Sequence, residues 1–371
     1  MKPVDAALIG NRVAAWAGDR GWPSSGWVRE YGRVRPDGEP RAVLGFAHAE
    51  GLAVRAEIQR SGTVRISSAE DDAALPGLAP VLATLRNPRI LRYRPGHRCT
   101  VRGDTDRGPR IVKVAPDGAR HVAGARLLWA ARRQLPFAVA EPCDWDPDTQ
   151  SAWYAVVPGA PIDAKLLGPD AAPLAARLGT ALAGLARAEI APGGREGPAE
   201  QLARSGRAVT RAAAALPALG SELAELWTGF QEQHARLAPR LLVPVHGAPH
   251  QHQWLADGDR LGLIDFDRFA LGDPELDLAT LLVELADESD RRLPMPVLIE
   301  AAVAGYAAGD VSLDRRRLGL YLAHKRMAKA CRTAHALRAD AECRTRRHLA
   351  TARTALRGVD QERSGRRLAT H

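Results

Sequence analysis

A short β-rich segment, residues 241–266, interrupts a long region of helical apolar spacing, and it constrains the fold more than any other feature. Apolar residues recur at helical intervals from about residue 171 to 237, and again from Pro274 to about residue 357. Before Pro158-Gly159 the chain shows short runs between turn residues, which are typical of strands. This order predicts an α+β protein with a small β-rich N-terminal lobe and a large, mainly helical C-terminal lobe that contains a small β-hairpin.

Changes of pattern divide the chain into three predicted segments. Residues 1–85 form an additional N-terminal element of strands and turns, and residues 86–158 form the N-terminal lobe. Residues 159–371 form the helical C-terminal lobe, in which residues 241–280 carry the most informative side chains. In the N-terminal lobe we expect strands at Arg89–Tyr93, Cys99–Arg102 and Arg110–Val114. The residues of the first segment indicate no role for it.

The β-hairpin within residues 241–266 predicts a metal site. A tight turn at Asp257-Gly258 joins its strands, so Gln253 and Asp265 should lie side by side at their outer ends. Amide and carboxylate oxygens are the hard ligands that Mg²⁺ prefers. If the chain stays extended after Asp265, Asp267 faces the same side and becomes a possible second ligand.

The residues after the hairpin predict a helix that supports the preceding loop. Asp273-Pro274-Glu275 is typical of a helix start, with Asp at the N-cap and Pro at the first helical position. Asp277 then stands among apolar residues, and a buried carboxylate needs hydrogen-bond donors. We expect the backbone N–H groups around His246 to supply them, which makes Asp277 and His246 structural residues of the loop.

These blocks, in this order and spacing, resemble the motif set of the aminoglycoside phosphotransferase and choline kinase family. The blocks are His246-Gly247-Ala248, then Gln253, then Ile264-Asp265-Phe266, then Gly272-Asp273-Pro274-Glu275-Leu276-Asp277-Leu278-Ala279. The resemblance covers about residues 85–350 and implies a bilobal protein-kinase-like fold. It also implies phosphorylation of a hydroxyl on a small molecule, a peptide being a less favoured acceptor.

The same resemblance implies the cofactors and their contacts. ATP or GTP would bind with Mg²⁺, and Gln253 and Asp265 would hold the metal against the phosphates. Lys113 and Arg98 would contact the nucleotide, and the turn Arg94-Pro95-Gly96-His97-Arg98 stands where the family has its phosphate loop. Lys113 is also a lone lysine in an apolar strand, so a solvated position on an edge strand is the alternative for it.

One position departs from the family pattern in a way that bears on activity. The family's catalytic aspartate belongs at Ala248, and an alanine methyl can neither orient an acceptor hydroxyl nor accept its proton. Three explanations stay open. The protein binds nucleotide without transferring phosphate, or His250, His252 or Asp267 replaces the missing base, or Ala248 is an engineered change. In addition, no acidic residue lies between Asp117 and Glu141 to pair with Lys113.

A rival hypothesis uses the same loop for different chemistry. His246, His250 and His252 have an H-x₃-H-x-H spacing, and Asp265 could complete a zinc or iron site. Such a site would indicate a metal-dependent hydrolase that needs no aspartate at position 248. This hypothesis leaves Lys113 and the block that begins at Gly272 unexplained.

Composition excludes several other classes. The formal net charge is +9, but the basic residues are spread along the chain without a dense block, so we do not expect a nucleic-acid partner. The bias towards Ala, Gly, Pro and Arg is typical of a GC-rich bacterial genome. The 4 cysteines form no CxxC pair, and no apolar run is long enough to cross a bilayer. We therefore expect a cytoplasmic monomer or homodimer without a membrane partner.

Overall fold

The computed structural model describes residues 6–35, 38–286, 295–335 and 340–363. The chain forms two compact units. The first contains Met1–Ala123, Glu141–Val156 and Thr333–Glu342, and the second contains Gly124–Ala140, Val157–Arg332 and Cys343–His371. None of the helices in the described ranges combines enough length with enough apolar character to cross a bilayer.

The first unit begins with a helix and a four-stranded antiparallel sheet in the order β1-β2-β3-β4. The elements are α1 (Ala6–Gly18), β1 (Val28–Val34), β2 (Ala42–Ala47), β3 (Ala53–Ile58) and β4 (Val64–Ser68). The sequence predicted strands and turns here and missed α1. Ile9, Val13 and Ala17 follow one another at intervals of one helical turn, and all three are buried. This stripe is only three residues long, so it is weak in the sequence and becomes clear from its packing on the sheet.

A second sheet of the first unit has five antiparallel strands in the order β5-β6-β7-β9-β8. Its strands are β5 (Arg86–Arg94), β6 (Arg98–Thr105), β7 (Gly108–Val114), β8 (Pro142–Asp146) and β9 (Ser151–Ala155). Helix α2 (Leu78–Thr84) precedes them, and helix α3 (Gly118–Ala130) follows β7, with its residues from Gly124 onward in the second unit. The three strands predicted in this region are confirmed. Lys113 lies on β7, the middle strand, where it is paired with Thr100 and Ala152. The edge-strand alternative for Lys113 is therefore wrong.

The second unit is mainly helical and contains two small three-stranded sheets, β10-β13-β14 and β11-β15-β12. Its elements up to the second sheet are β10 (Ala160–Pro161), α4 (Asp163–Leu166), α5 (Ala171–Arg187), β11 (Arg195–Glu196), α6 (Pro198–Ala215), α7 (Gly220–Ala235), β12 (Val243–Val245), β13 (Trp254–Asp257), β14 (Arg260–Leu263) and β15 (Ala270–Gly272). The helices that follow are α8 (Glu275–Leu285), α9 (Met295–Ala307), α10 (Arg315–Ala334) and α11 (Ala341–Arg363). The expected α+β composition is confirmed.

Helix α8 lies inside the apolar core of the second unit, since almost all its side chains are buried. The sequence predicted Asp273 as its N-cap, and this is wrong. The side chain of Asp273 makes no cap, because its Oδ2 accepts hydrogen bonds from Arg317 Nη1 and from the Tyr321 hydroxyl, each at 2.8 Å. A fully buried carboxylate is better stabilised by a guanidinium and a hydroxyl than by one backbone N–H.

Next to Asp273 the core holds two neutral histidines. His324 Nε2 forms a short hydrogen bond with Ser205 Oγ, and His324 Nδ1 lies 3.3 Å from His234 Nε2. Burial lowers the pKa of His234 to about 4, with the Asp273 carboxylate opposing this effect and Arg317 adding to it. Burial lowers the pKa of His324 as well, and repulsion from His234, were that ring protonated, and from Lys325 and Arg204 adds to this effect.

This histidine pair predicts acid sensitivity of the fold. The pKa of His234 is lowered from 6.5 to about 4, so between these values the unfolded chain binds more protons than the folded one. The contribution of the neutral His234 to the unfolding free energy is therefore fully present above pH 6.5 and is lost as the pH falls towards 4. We expect His234 alone to remove about 2 kcal/mol of unfolding free energy between pH 7 and pH 5. Urea titrations at the two pH values measure this. His234→Gln, which takes up no proton, should reduce the pH dependence, and equal unfolding free energies for the wild type at both pH values would contradict the expectation.

Candidate active site

The loop after β12 is anchored by a carboxylate on helix α8. Strand β12 pairs with β15, and His246 follows directly after the last residue of β12. The backbone N–H groups of His246 and Gly247 donate to Asp277 Oδ2 at 2.6 Å and Oδ1 at 2.9 Å. Burial raises the pKa of Asp277 to about 6, and the two N–H donors and the charge of Lys325 oppose this rise. The carboxylate is therefore ionised at neutral pH and holds the start of the loop in place.

His246 fills the interior of the loop as a neutral ring. It is fully buried, its Nε2 lies 3.0 Å from the carbonyl oxygen of Ile264, and its ring centroid lies 4.4 Å from that of Phe266. Burial lowers its pKa to about 4. Because a carbonyl only accepts, Nε2 carries the proton, and Nδ1 is left to accept from the backbone N–H of Ala248 at 3.4 Å. Both nitrogens thus serve the loop.

Gly247 is required by the path of this loop. Its φ is +84°, and a Cβ atom there would lie 2.7 Å from the backbone oxygen of Arg268. Both the left-handed backbone and the missing space exclude a side chain. The next residue, Ala248, is half-buried.

Gln253 and Asp265 lie in direct contact beyond the ends of the hairpin. Strands β13 and β14 pair from Trp254–Leu263 to Asp257–Arg260, and Ile264 N–H donates to Gln253 O just outside this ladder. Gln253 Nε2 donates to Asp265 Oδ2 at 3.0 Å, and Gln253 Oε1 accepts from the His250 N–H at 2.7 Å. The backbone of Asp265 is left-handed, with φ of +69°. Aspartate adopts this conformation more readily than most residues other than glycine, and such positions are frequent at turns and functional sites.

These two side chains fit a magnesium ion by their chemistry. The Asp265 carboxylate is half-buried, and the Gln253 amide oxygen uses one of its two lone pairs on His250. A carboxylate and an amide oxygen leave room for phosphate oxygens and water, as Mg²⁺ requires. Asp267 lies in a turn closed by the Phe269 N–H to Phe266 O bond. The chain is therefore not extended beyond Asp265, and the argument that made Asp267 a second ligand does not hold.

His250 pairs with a carboxylate that the sequence analysis missed. Its Nδ1 lies 3.3 Å from Glu284 Oε1, and Lys329 Nζ lies 3.4 Å from the same oxygen. Burial raises the pKa of Glu284, but the hydrogen bond with His250 and the charge of Lys329 outweigh it and lower the pKa to about 2. Glu284 stands seven residues after Asp277 on helix α8, so both carboxylates point to one side of the helix. That spacing is the signal that could have identified Glu284.

The three histidines of the loop do not share a partner. His246 bonds Ile264, His250 bonds Glu284, and His252 Nδ1 lies 2.7 Å from Asp163 Oδ1 with its side chain 67% exposed. Among the residues that the structure describes, no group of three His, Cys, Asp or Glu side chains is arranged to hold a metal ion. The arrangement therefore gives the three-histidine metal site no support.

A family model described as the phosphotransferase enzyme family matches residues 98–321. The chain belongs to this family. The matched residues include the β12 loop, the hairpin and the start of α8, as well as Arg98 and Lys113 in the first unit. The expected membership of the aminoglycoside phosphotransferase and choline kinase family is thus confirmed. No curated protein matches the chain significantly.

Similar solved structures show the fold. A choline/ethanolamine kinase family protein from Mesorhizobium loti is 18% identical, with a TM-score of 0.56 over 77% of this chain and 94% of its own. A spectinomycin phosphotransferase in complex with ADP and spectinomycin is 12% identical, with a TM-score of 0.51 over 77% and 98%. An amicoumacin kinase in complex with AMP-PNP and Ca²⁺ is 15% identical, with a TM-score of 0.58 over 75% and 92%. The kinase-like fold expected from the sequence is confirmed.

Proposed function

We propose that the chain binds ATP with Mg²⁺ and transfers the γ-phosphoryl group to a hydroxyl of a small molecule. Membership of the phosphotransferase enzyme family supports the reaction class. Two of the similar structures hold ADP or AMP-PNP, which supports an adenine nucleotide. Lys113 and Arg98 remain proposed nucleotide contacts on the strength of the family resemblance, and GTP remains an alternative nucleotide to test.

The observation that carries the proposal is the contact between Gln253 and Asp265. The Gln253 Nε2 group donates to Asp265 Oδ2 although the residues stand twelve apart, so an amide and a carboxylate are held together at the ends of the hairpin. The backbone of Asp265 is left-handed, a conformation that aspartate adopts more readily than most residues other than glycine. Bound Mg²⁺ would neutralise charge on the phosphates that the transfer redistributes.

We assign the proton acceptor to His250, because Ala248 offers no base. The acceptor oxygen attacks the γ-phosphorus, the bond from that phosphorus to the bridging oxygen breaks, and ADP leaves with the oxygen. The hydroxyl proton passes to Nε2 of His250. Glu284 accepts from Nδ1 of the same ring, which fixes the tautomer and stabilises the imidazolium that forms. The His250 side chain is 36% exposed and lies two residues from Ala248, and its Nδ1 is the nitrogen on Glu284, which leaves Nε2 as the nitrogen for a substrate.

A second candidate function is nucleotide binding without transfer, and Ala248 is the observation that favours it. General-base catalysis supplies about 10²–10⁴-fold in rate, so a site that lost its base without replacement would turn over very slowly. The hydrogen bonds by which Asp277 and Gln253 hold the loop would be equally useful in a protein that only binds nucleotide. Turnover that depends on His250 distinguishes the two candidates.

The proposal is tested with the wild-type protein. We expect calorimetry to show ATP binding that requires Mg²⁺, and we expect ADP release to rise above the rate with ATP alone when a suitable hydroxyl compound is added. The panel holds choline, ethanolamine, spectinomycin, other aminocyclitols, sugars and hydroxylated amino acids, each with ATP and with GTP. Magnesium-dependent binding without any acceptor effect would favour the second candidate. Failure to bind either nucleotide would contradict both.

A further inference from the structure

The N-terminal sheet contacts the turn between β5 and β6 through a buried carboxylate. Asp72 follows β4, and its side chain is 0% exposed. Its Oδ2 accepts from the Gly96 N–H at 2.6 Å and from the Tyr93 hydroxyl at 2.8 Å. Its Oδ1 accepts from Arg55 Nη1 at 2.9 Å and from the Ala74 N–H at 3.1 Å. Four donors converge on one carboxylate, which is an expensive and specific arrangement.

Two further contacts fix the same turn to the same sheet. A Cβ atom on Gly45, in the middle of β2, would lie 3.0 Å from Pro95, so the absence of a side chain there lets the turn approach the sheet. Arg33 Nη1 lies 3.2 Å from His97 Nε2. Burial and then the charges of Arg33, Arg35 and Arg94 lower the pKa of His97, so the ring is neutral and accepts from Arg33. Pro95, Gly96 and His97 are thus each held by the N-terminal sheet.

Resting on the proposed function, we infer that Asp72 is a positioning residue for nucleotide binding, through its bond to the Gly96 N–H. By the family resemblance the turn Arg94–Arg98 is the proposed phosphate loop, and it contains one glycine and two arginines. The Gly96 N–H is already bonded to Asp72, so the arginine side chains are the groups that would reach the phosphates, and their reach depends on a fixed backbone. The N-terminal sheet holds this backbone in place before the nucleotide binds, so the turn loses less conformational entropy on binding.

The consequence concerns the segment that the sequence left without a role. Strands β1 to β4 and Asp72 form a support for the turn Arg94–Arg98, and nucleotide affinity depends on them although they lie outside the family match at residues 98–321. Because coupling between a bound ligand and a remote group is reciprocal, nucleotide binding must also stabilise the bonds to Asp72.

The test compares Asp72→Asn with two controls in calorimetric titrations with ATP and Mg²⁺. We expect Asp72→Asn to weaken binding about tenfold, because the amide has one acceptor oxygen where the carboxylate has two, and its NH₂ group would face one pair of the four donors. Asp71→Asn makes the same change at the neighbouring exposed carboxylate and should leave the Kd within about twofold. Tyr93→Phe removes a donor to the same oxygen but keeps the Gly96 bond. It should lower the melting temperature and leave the Kd unchanged, which separates a positioning role from general destabilisation.

The outcomes separate the two proposals. Wild-type binding with an unchanged Kd in Asp72→Asn overturns the inference and leaves the proposed function standing. No wild-type binding overturns the proposed function and this inference with it. If Asp72→Asn does not fold, hydrogen exchange on the wild type decides. ATP with Mg²⁺ should slow exchange at the Gly96 and Ala74 amides, which both donate to Asp72. Unchanged exchange at both amides would overturn the inference.

Discussion

Asp265→Asn should abolish magnesium-dependent nucleotide binding while leaving the fold intact. Asparagine has nearly the shape of aspartate and tolerates the left-handed backbone with φ of +69°, whereas alanine would add strain there. The substitution removes the negative charge that attracts Mg²⁺ and keeps an oxygen within reach of Gln253. We expect ATP binding in the presence of Mg²⁺ to weaken by at least about 100-fold, since a cation that balances phosphate charge is lost.

The measurement is a calorimetric titration with ATP, with and without Mg²⁺, beside a thermal melt. Asp259→Asn is the matched control, because it makes the same change on the exposed turn of the hairpin. It should bind as the wild type does. If Asp265→Asn retained wild-type affinity in Mg²⁺, Asp265 would not be the metal ligand. If it melted many degrees lower, its contact with Gln253 would be structural in the first place.

His250→Asn should reduce turnover and leave nucleotide binding unchanged. The asparagine amide can still donate to Glu284, so the loop keeps this contact but loses the group that accepts a proton. Loss of a general base typically lowers kcat by about 10²–10⁴-fold. The rate of ADP release with the most effective acceptor of the panel gives kcat, and calorimetry gives the Kd for ATP with Mg²⁺. His252→Asn, which changes the exposed neighbouring histidine, should alter neither.

A second substitution makes this prediction sharper. Ala248→Asp in the His250→Asn background introduces the carboxylate that the family has at this position, and it should recover a large part of the lost rate. Undiminished turnover in His250→Asn would exclude His250 as the base, and no recovery in the double variant would show that position 248 no longer faces the acceptor.

Local patterns sufficed to predict most of the second unit. Helices α5, α6 and α7 follow from the helical spacing of their apolar residues, and the hairpin follows from two apolar strands around Asp257-Gly258. The contact between Gln253 and Asp265 follows from the same reasoning, because a hairpin brings its outer ends together. In these cases the interacting residues lie close in sequence, or the motif order fixes their distance.

Other features depend on packing that no local pattern encodes. Helix α1 shows only a short apolar stripe. Asp273 accepts hydrogen bonds from Arg317 and Tyr321, on a helix more than forty residues away, instead of capping α8. The bond from Gly96 to Asp72 joins two residues that are 24 apart and lie outside the strands, one after β4 and one between β5 and β6. Neither residue type indicates the other in the sequence. Glu284 is an intermediate case, since its spacing from Asp277 is visible in the sequence but its partner His250 is not.

The backbone hydrogen bonds on either side of Ala248 affect how position 248 can evolve. His246 and Gly247 are held by Asp277, and His250 is held by Gln253, all through backbone N–H groups. None of these bonds involves the side chain at position 248, so the loop keeps its shape whichever small residue stands there. Because an alanine codon and an aspartate codon can differ in one base, lineages can cross between the two chemistries in a single mutational step without rebuilding the scaffold. Close relatives of this chain should therefore include both residues at this position, and a survey of their genes would reveal in which direction the step has been taken.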